Sequence, residues 1–203
     1  MSLRKKNPTA TRARILLSAG EEFRRFGFQA ARLNAIVENS GITKGSLFHH
    51  FAGKDDLAQQ WMKETLPPLL DEQWLSPLRD ATDPIQTIKG ILREQSRVVE
   101  STAASEFFGN PLAILIPSIA PSDDTLHQTM HDLQQQWHRS ISEALLRGQQ
   151  NRMVHPAIQP ADEAHLIMSL SIGLELHAKS SGYSVVSGFL RSAIAYLDTL
   201  RPA

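Results

Sequence analysis

Apolar side chains recur at three- and four-residue intervals along almost the whole chain, and the strict alternation of a half-buried strand is scarce. The pattern predicts an all-α protein of about nine helices, broken where Pro and Gly gather, as at Gly27, Gly41, Gly53, Pro84, Pro121 and Pro160. The first helix runs from about Thr11 to Phe26, with Ile15, Leu16, Ala19, Phe23 and Phe26 at helical spacing and Gly27 placed to end it. A short second helix, Leu33 to Ser40, turns Leu33, Ile36 and Val37 inward. A third starts at Thr43, a suitable N-cap, and carries Leu47, Phe48 and Phe51 inward or partly so. Asp55 and Asp56 open a longer helix, where acids suit the helix dipole, and Pro67 and Pro68 must kink or end it.

Further along, Asp83 and Pro84 start a helix striped by Ile85, Ile88, Ile91, Leu92, Val98 and Val99. Asn110 to Ile119 predicts a short buried helix ended by Pro121, and Ser122 or Asp123 caps the next. That one is long and amphipathic, with Leu126, Met130, Leu133, Trp137, Ile141 and Ala144 on one face. Pro160 opens a segment that is apolar nearly all round from Leu166 to Ala178. Val185, Val186, Phe189, Leu190, Ala193, Ile194, Leu197 and Leu200 stripe the last helix. The last two helices carry too much apolar surface for a monomeric pair. Ser171, Gly173, Ala178, Ser192 and Ala193 are small enough for close helix approach, so a four-helix homodimer interface is expected.

Composition narrows the classes. A 41% hydrophobic and 21% charged chain is globular rather than disordered. Without cysteine there is no disulfide, thiolate metal site or thiol switch. The basic N-terminus lacks the apolar run of a secretory signal, and no stretch approaches the roughly 20 apolar residues of a membrane span, so a cytoplasmic protein is expected. The net charge of zero hides a division: residues 1–54 carry ten Lys and Arg against three Glu, a net of +7, and the remainder carries −7. Such segregation points to a polyanion partner for the N-terminal part.

The second helix, the Gly41 turn and the third helix form a helix-turn-helix pattern, in which Ile36, Ile42 and Leu47 lock two short helices and Gly41 takes the left-handed turn position. The outward face of the third helix then shows Thr43, Lys44, Ser46, His49 and His50, while Gly45 lets the backbone approach a ligand closely. Lys44 and Lys54 stand near opposite ends, each able to reach a phosphate, and the amides opening the next helix offer another phosphate site. That suits a helix in the major groove with flanking backbone contacts.

Together these residues resemble the DNA-binding domain of the TetR family of bacterial transcriptional regulators. The likeness rests on Ile15-Leu16-x-x-Ala19, Phe23-x-x-x-Gly27-Phe28, Ile36, the run Gly41 to Phe51 and Lys54-Asp55-Asp56-Leu57. The resemblance implies an all-helical homodimer, with residues 1–54 binding operator DNA and residues 55–203 binding an effector and dimerising. It also implies that Thr43 and Lys44 meet phosphate or base edges, that Ser46 and His49 face the DNA, and that Lys54 holds a phosphate. Two positions depart from the family pattern. Phe48 stands where a phosphate-binding tyrosine is usual, which leaves it packing or a thymine methyl to touch. Ala31 and Arg32 replace the usual Thr or Ser before the second helix, and Arg32 offers a backbone-phosphate contact instead. The stretch from Phe107 to Pro121 resembles the short sixth helix of one subgroup, some of whose members sense electrophiles through a cysteine that this chain lacks.

Trp61, Trp74, Phe107, Phe108 and Trp137 are candidate walls of an apolar effector cavity, with Met168 and His177 as additions; each also suits plain core filling. Glu175 and His177 in an otherwise apolar helix need a partner, whether ligand, second subunit or solvent. His127, His131 and His138 share one side of a helix, the spacing of a metal site, but no general base sits between the first two and the side is polar. A solvated face, no metal, no cofactor and no enzyme activity are therefore expected. A DNA-binding dimer without an effector is the alternative.

Overall fold

The computed structural model describes residues 7–101, 111–115, 119, 124–181 and 183–202. Among them lie ten α-helices, two of single-turn length, and no strand. They are α1 (Pro8–Ala30), α2 (Leu33–Ser40), α3 (Lys44–His50), α4 (Lys54–Leu70), α5 (Ser76–Arg79), α6 (Pro84–Ser101), α7 (Pro111–Ile114), α8 (Asp124–Gln150), α9 (Pro160–Ser181) and α10 (Val186–Thr199). No helix among the described residues is long and apolar enough to cross a membrane.

Asn7 caps α1 by accepting the Ala10 N–H at 3.2 Å, and Pro8 occupies the first turn, where its missing N–H costs nothing. Gly27 breaks this helix as its position predicts: its φ of 75° and ψ of 168° are not helical, and a last short turn to Ala30 continues beyond the kink. Phe26 lies off the buried stripe and is 43% exposed, its ring covered by the guanidinium groups of Arg25 at 5.2 Å and Arg32 at 6.0 Å.

Pro67 and Pro68, by contrast, lie inside α4 and do not end it. Helical structure passes through them and widens just beyond into a π-helical turn, Asp71–Leu75, in which the Ser76 N–H bonds the Asp71 carbonyl five residues back. α4 is thereby the spine of the molecule. Leu57, Ala58, Trp61 and Met62 close the core of the α1–α3 bundle, while Leu66 and Leu70 lead into the second half. The expected division at residue 54 falls at the first residue of α4, and one apolar core runs across it.

In the second half, α8 lies along α9, and α10 packs on both α6 and α9. All six α8 residues of the predicted stripe are buried. On α6, Ile85, Ile88, Leu92 and Val99 are buried, but Val98 is exposed because it sits one step round the helix from Val99. Of the predicted 110–119 helix, the described residues form a single turn, Pro111–Ile114, with Leu112, Leu115 and Ile119 buried; Asn110, residues 116–118, Pro121, Ser122 and Asp123 lie outside the described residues.

The small residues assigned to close subunit contact mostly face inward. Ser171 exchanges hydrogen bonds with Gln95 of α6 at 3.0 and 3.1 Å, and Ala178 and Ala193 are buried within the chain. Gly173 also faces the chain's own interior, where a Cβ would stand 3.3 Å from the Phe189 ring of α10. The exposed stripe of α9 is Leu166, Ser169 and Leu176, and that of α10 includes Ser192 and Ala195, with Gly188 half-buried beside them.

Candidate nucleic-acid interface

Arg32 is the N-cap of α2, and its side chain makes no capping hydrogen bond. Its orphan backbone N–H is satisfied from α1, where the buried Glu22 carboxylate accepts it at 3.1 Å. Ser18 of α1 donates to the Ile36 carbonyl at 3.1 Å, so α2 is bolted to α1 by polar as well as apolar contacts. Gly41 then takes φ of 62° and ψ of 38°, the left-handed conformation that closes a helix end, and the Gly41 and Ile42 amides bond back to Glu38 and Val37.

Thr43 is the N-cap of α3, accepting the Ser46 N–H at 3.2 Å. Leu47 and Phe51 are buried, so the opposite side of α3 must face water. That side carries Lys44, Gly45, Phe48 and His49, with Thr43 exposed at its start and Ser46 and His50 half-buried on its flank. Phe48 is not inward: it is 47% exposed and stands beside Lys44 on the outer face. The rings of His49 and His50 meet edge to face at 5.3 Å. A groove beside this face is completed by Thr11 and Arg14 of α1, two residues that periodicity alone gave no reason to select.

Lys54 has defined partners. Its ammonium donates to the Gln29 carbonyl at 2.8 Å and the Ala31 carbonyl at 3.4 Å, tying the first turn of α4 to the α1–α2 connection. It shares a second groove with Arg32, Asn34 and Glu38. The α4 amides proposed for phosphate are flanked by Asp55 and Asp56, and the Asp56 carboxylate already accepts the Ala52 N–H at 2.8 Å.

The candidate effector residues are scattered. Trp61 belongs to the N-terminal core, its ring 5.6 Å from Phe23 and 6.3 Å from Phe28. Trp74 and Trp137 pair with each other at 5.0 Å, fully enclosed. Met168 and Glu175 are buried on α9, whereas His177 is exposed with its ring 5.6 Å from Phe189. Phe107 and Phe108 lie outside the described residues. The three α8 histidines do not converge: His138 bonds the Ala161 carbonyl at 2.9 Å and stacks on His165 at 4.2 Å, while His127 and His131 are exposed. Among the described residues no three His, Cys, Asp or Glu side chains are placed to hold a metal ion.

Residues 15–60, the bundle just described, match the family described as bacterial regulatory proteins, tetR family. The HTH-type transcriptional regulator LmrA of Bacillus subtilis (strain 168) is 28% identical over 138 residues, which is 68% of this chain and 71% of that protein. Among solved structures, reduced NemR of E. coli superposes with a TM-score of 0.81 at 18% identity, over 95% of this chain and 98% of that one. A cysteine mutant of the TetR family transcriptional regulator CifR, complexed with 26-base-pair double-strand operator DNA, superposes with a TM-score of 0.73 at 19% identity, over 95% and 99% of the two chains.

Proposed function

The chain belongs to the TetR family of bacterial transcriptional regulators and is a DNA-binding regulator; from that premise we propose that it is a homodimeric repressor, released from its operator by a small apolar ligand. One observation carries the reading. α3 is locked from behind by Leu47 and Phe51, and it turns Lys44, Gly45, Phe48 and His49 outward as one row on the most basic part of the chain. In this reading residues 1–54 form the operator-binding unit and residues 55–203 the effector-binding and dimerisation unit.

The row supplies distinct contacts. Lys44 and Thr43 reach phosphate, His49 and Ser46 reach base edges, and Phe48, lacking a hydroxyl, meets a thymine methyl. Gly45 presents bare backbone to the groove wall. Arg32 and Lys54 add phosphate contacts to one side, and Arg14 to the other. Two such rows address half-sites one helical turn apart, about 34 Å, when a dimer sets their spacing. The outward stripes of α9 and α10 supply the dimer face, where Leu166 and Leu176 gain burial while Ser169, Gly188 and Ser192 let the backbones approach.

Regulation follows from α4. It holds Lys54 at one end, Trp61 in the DNA-binding core, and leads through the π-helical turn to Trp74 at the other. A ligand that shifts the Trp74 end thereby changes the separation of the two α3 helices, and binding energies to ligand and operator are reciprocally coupled. The test is selection of bound sequences from random duplex DNA by the full-length protein, followed by a screen of small apolar compounds for release. Recovery of an inverted repeat and release by at least one compound is the expected result. An inverted repeat that no compound releases would leave a DNA-binding dimer without an effector.

A further inference from the structure

Trp74 and Trp137 are the two largest fully enclosed side chains, and neither indole N–H has a hydrogen-bond acceptor among the described residues. An indole donates and never accepts, so the pair cannot satisfy itself although the rings lie 5.0 Å apart. Leaving such a donor dry costs roughly 1–3 kcal/mol. A fold that needed only to fill this volume would do so with phenylalanine or leucine at no such cost. The backbone carries a second sign. Trp74 rides on the π-helical turn Asp71–Leu75, a rare and less well-bonded form that recurs at functional sites.

We propose that the Trp74–Trp137 pair is the recognition point for a small, neutral, largely apolar ligand bearing a carbonyl-type oxygen, which accepts a hydrogen bond from these indoles. The class follows from what surrounds the donors. One turn either side of each tryptophan stand Leu70, Leu78, Leu133 and Ile141, all buried and apolar, so the body of the ligand must be apolar too. A hydroxyl or amine hydrogen would find no acceptor on either indole. A carboxylate would bring a full charge into the core against only two neutral donors, which does not repay its desolvation. A neutral oxygen that accepts without donating is what remains, and a carbonyl is the stronger acceptor of that kind. The pair is closed in this structure, and the π-helical turn is the element able to re-register as the rings part. This inference deepens the effector reading above and rests on it.

The test uses the full-length protein labelled with 15N at tryptophan, which carries three indole signals, assigned by Trp→Phe substitution. Acetophenone is the probe, ethylbenzene its oxygen-free counterpart and benzoate its charged one. Acetophenone should move the Trp74 and Trp137 indole protons downfield and leave Trp61 in place, and ethylbenzene should not. Trp74→Phe, and separately Trp137→Phe, should weaken acetophenone binding about tenfold, the loss of one hydrogen bond. An equal response to ethylbenzene, a preference for benzoate, a response confined to Trp61, or no response at the solubility limit would each overturn the proposal. So would rapid indole exchange with solvent, which would place water on the donors. A compound that releases operator DNA without moving either signal would overturn this site and keep the effector reading. Movement of both signals with operator binding unchanged by every compound would do the reverse.

Discussion

Arg12 and Glu64 meet in a two-pronged ion pair, each guanidinium nitrogen 2.5 Å from a carboxylate oxygen, across 52 residues of sequence. The pair fastens the start of α1 to the middle of α4, and the same guanidinium lies 5.2 Å from the centre of the Phe51 ring at the end of α3. One side chain thus touches all three helices whose relative positions decide where α3 points.

The pair has a pH signature. The hydrogen bond from Arg12 holds the Glu64 carboxyl below its ordinary value, against the opposing effect of burial and with help from the Arg12 charge. A carboxylate depressed in the folded state stabilises above its unfolded value of about 4.3 and loses that contribution as pH falls through the folded one. Both groups are about a third or more exposed, so the pair contributes roughly 0.2–1 kcal/mol. Glu64→Gln should therefore lower stability by that amount at pH 7 and flatten the stability profile below about pH 4. Urea unfolding at pH 7 and pH 3 checks it: a wild-type-to-variant gap that is the same at both values would contradict the assignment.

Gly20 and Trp61 give a prediction opposite in sign to helix propensity. Gly20 is mid-helix in α1, where alanine normally stabilises by up to about 1 kcal/mol. A Cβ here would stand 2.5 Å from the Trp61 Nε1 and 3.0 Å from its ring carbon, and the ring is held by Phe23 and Phe28. Gly20→Ala should destabilise by about 1–3 kcal/mol, read by thermal denaturation. A neutral or stabilised variant would mean that the ring has room to withdraw.

Gly45 is the complementary case. It is exposed on α3, and nothing lies within 4 Å of a Cβ placed on it. Gly45→Ala should stabilise the free protein by roughly 0.5–1 kcal/mol while weakening operator affinity, since the methyl stands where the backbone meets the groove. Melting temperature and operator titration together decide it. Stabilisation with unchanged affinity would remove the close-approach role.

How much of this was legible in the sequence depended on whether each feature had a local signal. The helix-turn-helix did: Gly41 for the left-handed turn, Thr43 for the cap, and Ile36 and Leu47 for the seam are all short-range cues, and the structure places each as its chemistry demands. The start of α2 did not, because its missing cap is supplied by Glu22, ten residues earlier on another helix. Tryptophan pattern alone grouped Trp61 with Trp74 and Trp137, yet 13 residues of α4 and the π-helical turn carry Trp74 into a different part of the core. Small residues on α9 suggested close contact, but their direction depended on where α6 lies, and Ser171 turned inward to Gln95. Local rules set the elements; the partners across them came only with the packing.

Lys89 is buried on α6 with its ammonium paired to Asp198 of α10, and Arg201 joins Asp83 to the same corner at 2.8 Å. Removing the acid strands a buried cation, and removing the cation does not. Because Asp198 itself is half-exposed, Asp198→Ala should cost about 1–3 kcal/mol, the penalty of leaving the Lys89 ammonium without its partner. Lys89→Met, which keeps the apolar stem, should cost less, under about 1.5 kcal/mol. Chemical denaturation of both variants checks the order. Equal losses would mean the pair contributes by attraction alone.

Lys44 and Lys54 separate electrostatic from structural contributions to DNA binding. Lys44 is exposed at the start of α3, while the Lys54 ammonium is held by the Gln29 and Ala31 carbonyls. Freeing one phosphate from its lysine lowers the slope of log affinity against log salt by about 0.9. A dimer carries every substitution twice, so Lys44→Ala should reduce the slope by roughly 1.8 with stability unchanged. Lys54→Ala should reduce the slope similarly and also destabilise the α1–α2 connection, because two carbonyls are left without their donor. Both should weaken binding to all duplex sequences alike, since phosphates carry no sequence information. Operator titrations at several salt concentrations, with melting curves beside them, give the answer. A slope that falls by about 0.9 rather than about 1.8 would point to one subunit per site, and an unchanged slope would remove that lysine from the interface.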